Sequence, residues 1–194
     1  MESMAVRAIV FDLYGVLGLN NWQEFKQAHF GSRPEDWEQL RALGQRVDAG
    51  KATDIELVQA VANETGETIM TVRDQFERTG PNEPMLDYIA ASLHGHYKLG
   101  LLSNASSDVL GDIFSPKEVA MFDQITTSYH VGLTKPDPRI FLLLTNRLGI
   151  EPEQCLFIDD KETNVAAAQE LGFQTIQYET VSQTKQAIEE IVAR

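Results

Sequence analysis

Apolar positions along the chain follow two rhythms. Short, nearly continuous apolar runs occur at VRAIVF (6–11), KLGLLS (98–103), QITTSY (124–129), CLFID (155–159) and QTIQY (174–178). Runs of this length, closed by turn signals, read as strands buried on both faces. Helical spacing separates most of them. Ile140, Phe141, Leu144 and Leu148 share one helical stripe, with Asp137 as N-cap, Pro138 in the first turn and Gly149 as the stop. The segment from Lys161 to Leu171 ends in the same way at Gly172. Strand and helix in alternation, joined by short connections, predict a parallel sheet with helices on both faces, a Rossmann-like three-layer α/β core.

Between the first and second runs lie about eighty residues, far more than a crossover helix requires. From 20 to 80 they read as wholly helical. Thr53-Asp54-Ile55-Glu56 is a capping-box pattern, followed by Ile55, Val58 and Val61 on one face before Gly66. A further helix begins near Thr68, with Ile69, Val72 and Phe76 on one stripe. Helices over 21–30, 34–46, 53–65 and 68–79 predict a small antiparallel bundle inserted above the strand ends. The expected division is a core of 1–18 with 81–194 and a helical cap of 19–80.

At 194 residues and 43% hydrophobic content, the chain can bury one sizeable core that carries such an insertion. A formal charge of −13 opposes binding to nucleic acid or to an anionic membrane surface, so a small anionic substrate needs locally concentrated positive charge. The single cysteine, Cys155, sits inside an apolar run and reads as a small buried hydrophobe, in keeping with a reducing cytosol. The opening apolar stretch is short and broken by Arg7, and no run reaches membrane-spanning length. The expectation is a soluble, cytoplasmic protein, monomeric or homodimeric, acting on a small molecule.

Charged and polar groups stand where the apolar runs stop, which is where α/β enzymes place their chemistry. Asp12 closes the first run, and Gly15 permits a tight turn directly after it, so that loop amides can face an anion. A carboxylate fixed there can attack an electrophile; alone, it reads equally well as a turn residue. Ser103 and Asn104 close the second run and can donate to the oxygens of a transferring group. Lys135 precedes Pro136-Asp137-Pro138, and its ammonium can neutralise charge on nucleophile or substrate. Asp159 and Asp160, with Asn164 near the start of a helix, offer hard oxygen ligands.

The ordered set FDLYGVL (11–17), LLSN (101–104), Lys135 within KPDP and FIDDKETN (157–164) resembles the haloacid dehalogenase superfamily of hydrolases over almost the whole chain. Each motif is weak alone; four in this order at strand ends are specific. The resemblance implies a Rossmann-like core with a helical cap inserted after the first strand. It implies Asp12 as nucleophile, Ser103 and Lys135 as holders of the group under attack, and Mg2+ bound by Asp12, Asp160 and the backbone carbonyl of Tyr14. Asp159 then supports the metal shell, and Asn164 orients it or Lys135.

One position departs from the superfamily's phosphatases, which carry a second aspartate two residues after the nucleophile as general acid and base. Here it is Tyr14. A phenol with a reference pKa of about 10 can donate a proton but is a poor base at neutral pH, and losing a general acid/base costs roughly two to four powers of ten in rate. Haloacid dehalogenases have tyrosine in a similar D-x-Y-G pattern, since a departing halide needs no proton, but usually replace the late acidic pair and work without metal. The first motif therefore favours carbon–halogen cleavage and the last favours phosphate with magnesium. The phosphatase reading is preferred; a 2-haloacid dehalogenase using the same Asp12, and a weakened phosphate or metal sensor, stand as alternatives.

Other candidates have plainer explanations. His94 and His96 flank Gly95 in what reads as a polar turn, and His29 and His130 add no ligand spacing. Arg33, Arg41, Arg46, Arg73 and Arg78 read as solvated helix faces from which one could reach an anion. Trp22, Phe25, Phe30 and Trp37 read as bundle core before pocket lining.

Overall fold

The alternation of both-face-buried runs with amphipathic helices is realised as a five-stranded parallel sheet of order β5-β4-β1-β6-β7. The computed structural model describes residues 5–20, 22–48, 52–77, 79–105 and 110–193. In chain order the elements are β1 (Ala8–Phe11), β2 (Gly18–Asn20), α1 (Trp22–Phe30), α2 (Pro34–Asp48), α3 (Asp54–Thr65), α4 (Ile69–Glu77), β3 (Thr79–Pro81), α5 (Glu83–Tyr88), β4 (Lys98–Ser103), α6 (Leu110–Ile113), α7 (Pro116–Val119), β5 (Gln124–Thr127), α8 (Ser128–Val131), α9 (Pro138–Leu148), β6 (Cys155–Asp159), α10 (Glu162–Glu170), β7 (Gln174–Gln177) and α11 (Val181–Val192).

Strand periodicity sends alternate residues of β1 into two different cores. Ile9 and Phe11 join Leu99, Leu101, Leu156 and Ile158 beneath Met85 and Leu86 of α5 and Ile188 of α11. Ala8 and Val10 join Leu102, Cys155 and Phe157 against Ile140, Phe141, Leu144 and Leu148 of α9. A sheet covered on both faces offers solvent only its strand ends. The start of α9 matches its sequence signals: Asp137 accepts a hydrogen bond from the Arg139 amide, and Gly149 ends the helix in the left-handed region at φ 65°.

The four helices α1 to α4 carry their own apolar cluster of Phe25, Phe30, Leu40, Val58, Val61, Ala62 and Val72, with Trp37 packed against it. The capping box at Thr53 and Glu56 forms as the pattern predicts. Ile55 and Ile69, expected on the buried stripes, are 79% and 49% exposed; each lies in the first turn of its helix, and burial begins one turn later at Val58 and Val72. Arg78, and the side chains of Trp22 and Phe76, lie outside the described residues.

Two expectations about the chain need correction. The segment 20–80 is not wholly helical at its ends: β2 and β3 pair antiparallel, Gly18 with Pro81 and Asn20 with Thr79, into a ribbon through which the helices leave and rejoin the sheet. Three-residue strands are too short to show a period in sequence. The run expected to extend to Tyr129 stops as a strand at Thr127, and Ser128–Val131 turn as a helix closed by Gly132 at φ 68°. Among the described residues, no helix is long and apolar enough to cross a membrane.

Candidate active site

Because the strands are parallel, the C-terminal ends of β1, β4 and β6 lie side by side, and each ends in polar chemistry. Asp12 follows β1, Ser103 closes β4, Asp159 closes β6, and Asp160 comes next. Ligand oxygens of Asp12, Asp159 and Asp160 lie within 4.8 Å of one another. The amide of Asp12 still donates to the Ile158 carbonyl at 2.9 Å, so the sheet's ladder holds its backbone to β6.

Lys135 supplies the counter-charge. Its Nζ lies 2.7 Å from Asp12 Oδ1 and 2.6 Å from Asp159 Oδ2, with its side chain 1% exposed. Asp12 Oδ1 also accepts the Leu13 amide at 2.7 Å. Two donors therefore fix one oxygen of Asp12, and Oδ2 is the oxygen without a donor among the described residues. Asp159 is satisfied on both oxygens: Asn164 Nδ2 donates to them at 3.1 and 3.0 Å, and the Lys161 amide donates to Oδ1 at 2.8 Å. Lys135 Nζ also donates to Oδ2, at 2.6 Å.

Burial and charge separate the three acids electrostatically. Burial pushes the Asp12 carboxyl up to about 8, against the pull of Lys135, with the charges of Asp159 and Asp160 adding to the rise. Burial would also raise Asp159, but Lys135, Lys161 and Asn164 hold it below the usual carboxylate range. Asp160 is raised by burial and by the neighbouring charge of Asp159. For Lys135 the two carboxylates overcome burial and raise its pKa, so it stays charged.

Among the described residues, two buried polar side-chain atoms have no partner: Ser103 Oγ and Asp160 Oδ1. Such atoms are rare because each forfeits its hydration without recompense. An unpaired buried carboxylate oxygen, grouped with two further carboxylates, suits a hard divalent cation, and a buried hydroxyl suits an oxygen-rich substrate group. The backbone cooperates here: Gly15, at φ 85°, brings its Cα so close to Asp160 that an added Cβ would stand 2.7 Å from Oδ2. Only glycine fits both the left-handed conformation and the contact.

Asn104 holds the backbone of Lys135. Its Oδ1 accepts the Lys135 amide at 2.8 Å and its Nδ2 donates to the Lys135 carbonyl at 2.9 Å, so its carboxamide binds the lysine's backbone from both ends. Tyr14 is partly buried against the core cluster that contains Phe11 and Leu13. Ser128, which the sequence did not single out, anchors the end of the β4 segment: its Oγ accepts the Ala105 amide and donates to the Ala105 carbonyl, both at 2.9 Å. A serine after a strand carries no signal that distinguishes such a clamp from a turn residue.

Several other candidates have partners or places of their own. His94 and His96 are exposed in the turn before β4, at the opposite end of the sheet from Asp12, with Gly95 at φ 84°. Arg33 pairs with Asp36 and Glu64, and Arg41 with Glu38, on exposed helix faces. Phe25 and Phe30 are buried in the bundle's own core. Burial pushes the Cys155 thiol up to about 12, which makes it inert as a nucleophile.

Comparison with known proteins agrees with this geometry. Residues 6–172 match the family described as "Hydrolase: haloacid dehalogenase-like hydrolase". The D-ribitol-5-phosphate phosphatase of Bacteroides thetaiotaomicron is 34% identical over 110 residues, 53% of this chain and 53% of that protein. The mouse acyl-CoA dehydrogenase family member 10 is 37% identical over 83 residues, 43% of this chain but 8% of that protein. The chain therefore spans about half or less of these two relatives. An (S)-2-haloacid dehalogenase of Pseudomonas fluorescens is 27% identical over 187 residues, covering 87% of this chain and 82% of that protein. A solved family enzyme from Bacteroides thetaiotaomicron, in complex with magnesium and inorganic phosphate, superimposes with a TM-score of 0.66 at 27% identity, covering 93% of this chain and 99% of the other. The chain belongs to the haloacid dehalogenase-like hydrolases.

Proposed function

We propose that this haloacid dehalogenase-like hydrolase is a magnesium-dependent phosphatase of small phosphorylated metabolites, with Asp12 as nucleophile and the helices of 19–80 as a cap over the site. The observation that carries the reading is Asp160 Oδ1, a buried carboxylate oxygen without a partner beside Asp12 and Asp159. Asp12, Asp160 and the carbonyl of Tyr14 would hold the cation. When bound, it would neutralise the carboxylates and the substrate phosphate. The complex of a solved family enzyme with magnesium and inorganic phosphate, and the similarity to a D-ribitol-5-phosphate phosphatase, support the same chemistry here.

The residues divide the work as follows. Asp12, pinned through Oδ1, presents Oδ2 to phosphorus; the Oδ2–P bond forms as the bond from phosphorus to the leaving oxygen breaks. Ser103 Oγ donates to a phosphoryl oxygen, and Lys135 offsets charge on the transferring group. The leaving oxygen takes a proton from the Tyr14 phenol or departs as a stable anion. Water then attacks phosphorus, giving inorganic phosphate and restoring the Asp12 carboxylate. Tyr14 serves the first half better than the second, so acyl and aryl phosphates should turn over faster than alkyl phosphates.

A second reading has its own support. Tyr14 follows the D-x-Y-G pattern that resembles the dehalogenases, and a 2-haloacid dehalogenase matches most of the chain. In that reaction Asp12 displaces halide from carbon and forms a carboxylic ester. A panel of phosphate esters and 2-halo acids, assayed with magnesium and with chelator, separates the two. Magnesium-dependent phosphate release supports the proposal. Halide release that persists in chelator supports the second reading, and no turnover with magnesium-induced thermal stabilisation indicates a sensor.

A further inference from the structure

Asn82 stands where the chain re-enters the sheet, between β3 and α5. An asparagine before a helix ordinarily caps it with its side chain, but this one makes no cap bond and is 1% exposed. Its Nδ2 donates instead to the Val16 carbonyl at 2.7 Å and to the Tyr178 phenol oxygen at 2.9 Å. Its backbone amide donates to the Leu17 carbonyl at 2.8 Å. Three segments distant in sequence thus meet on one buried carboxamide: the loop after Asp12, the return from the helical bundle, and the residue that follows β7.

Both ends of this junction lead to the site. The Tyr178 amide donates to the Asp159 carbonyl at 3.0 Å, so the phenol that Asn82 binds belongs to a residue tied to the end of β6. On the other side, the amides of Val16, Leu17 and Gly18 all donate to the Leu13 carbonyl, at 3.3, 2.9 and 2.7 Å. That closes the loop on itself and leaves the Val16 and Leu17 carbonyls to Asn82. The loop carries the Tyr14 carbonyl, and it carries Gly15 against Asp160. Its position relative to β6 decides whether these groups converge.

We propose that Asn82 is a positioning residue for the hydrolytic reaction, holding the nucleophile loop against the β6 end so that the Tyr14 carbonyl and Asp160 can share one cation. This role rests on the phosphatase reading for its catalytic consequence, though not for the placement itself. Asn82 touches no reacting atom; it acts through Val16, Leu17 and Tyr178.

Three variants test it. Asn82→Ala removes both side-chain donors, Asn82→Asp removes them at nearly constant volume, and Tyr178→Phe removes only the phenol acceptor and spares the Val16 and Leu17 bonds. Hydrogen exchange of the amides of 13–18 in metal-free protein should be fastest in the Asn82 variants and intermediate in Tyr178→Phe. With p-nitrophenyl phosphate, the magnesium concentration for half-maximal rate should rise about tenfold or more in the Asn82 variants, while KM at saturating magnesium stays near that of wild type. Unchanged exchange in 13–18 overturns the proposal. So does faster exchange, or a lower Tm, with an unmoved magnesium requirement, since that is a structural role only. If wild type hydrolyses no ester, the phosphatase reading fails separately, and magnesium titration by thermal shift in the same variants decides the positioning role. Wild type without magnesium binding overturns both.

Discussion

Lys135 and Asp159 form an ion pair of 2.6 Å in which neither side chain is more than 1% exposed. The same ammonium holds Asp12 at 2.7 Å, so one cation serves two buried carboxylates. Removing one partner of such a group leaves uncompensated buried charge. Lys135→Met should therefore destabilise the metal-free protein by about 3–5 kcal/mol in urea unfolding. Magnesium should recover part of that loss, and activity should fall by roughly a hundredfold or more even where the variant is folded. A variant as stable as wild type would show that the two acids do not rely on Lys135.

The acids respond to pH in opposite senses. Asp12 is raised from an ordinary 3.8 to about 8, so between those values the folded chain binds a proton that the unfolded chain has released. Stability of the metal-free protein should therefore fall as pH rises from about 4 to about 8, then level. Asp159, held below its ordinary value, contributes stability at neutral pH that is lost only in acid.

Magnesium must displace the Asp12 proton to bind. Its apparent affinity should rise by up to about tenfold per pH unit below pH 8 and flatten above it. Calorimetry in two buffers of different ionisation enthalpy measures the released proton. Affinity that is flat from pH 6 to 8 would show Asp12 already ionised.

Gly15 is held by two constraints at once, and a paired comparison separates them. Gly66 has a similar left-handed φ of 75°, yet an added Cβ meets nothing within 4 Å. Gly66→Ala should cost about 1 kcal/mol of backbone strain and leave turnover unchanged. Gly15→Ala should incur that strain and also displace Asp160, weakening magnesium binding by about tenfold or more. Equal effects at the two positions would remove Asp160 from the account.

Tyr14→Asp supplies the proton acceptor that a phenol replaces poorly. Alkyl phosphate hydrolysis should rise, by up to roughly a hundredfold, while aryl phosphates gain little. Steady-state kinetics on one ester of each kind measures the difference. A fall on both would mean that Tyr14 itself is needed, as the dehalogenase reading requires.

Much of this site could be read from sequence because strand ends announce themselves. Asp12, Ser103, Asp159 and Asp160 each follow an apolar run whose end the structure places within a residue. Lys135 reads in sequence as closing the run through ITTSYHVGLT (125–134), but the strand stops at Thr127 and a short helix intervenes before the lysine. What escaped were partnerships between distant residues. The Asn104 carboxamide turned to the Lys135 backbone, Ser128 bridged to Ala105, and Asn82 gave up a helix cap for Val16 and Tyr178. Each is a short polar residue beside a turn, which local pattern explains sufficiently without any long-range contact. The β2–β3 ribbon escaped because three residues show no period.

The central claim is that Asp12 becomes covalently phosphorylated in a metal-dependent reaction. Rapid quench of the enzyme with 32P-labelled acetyl phosphate, followed by peptide mapping under acid conditions, tests it directly. Label on the peptide containing Asp12, formed with magnesium and absent with chelator or in Asp12→Asn, is the predicted result. Phosphate release by wild type without label on that peptide, or unchanged turnover in Asp12→Asn, would contradict it.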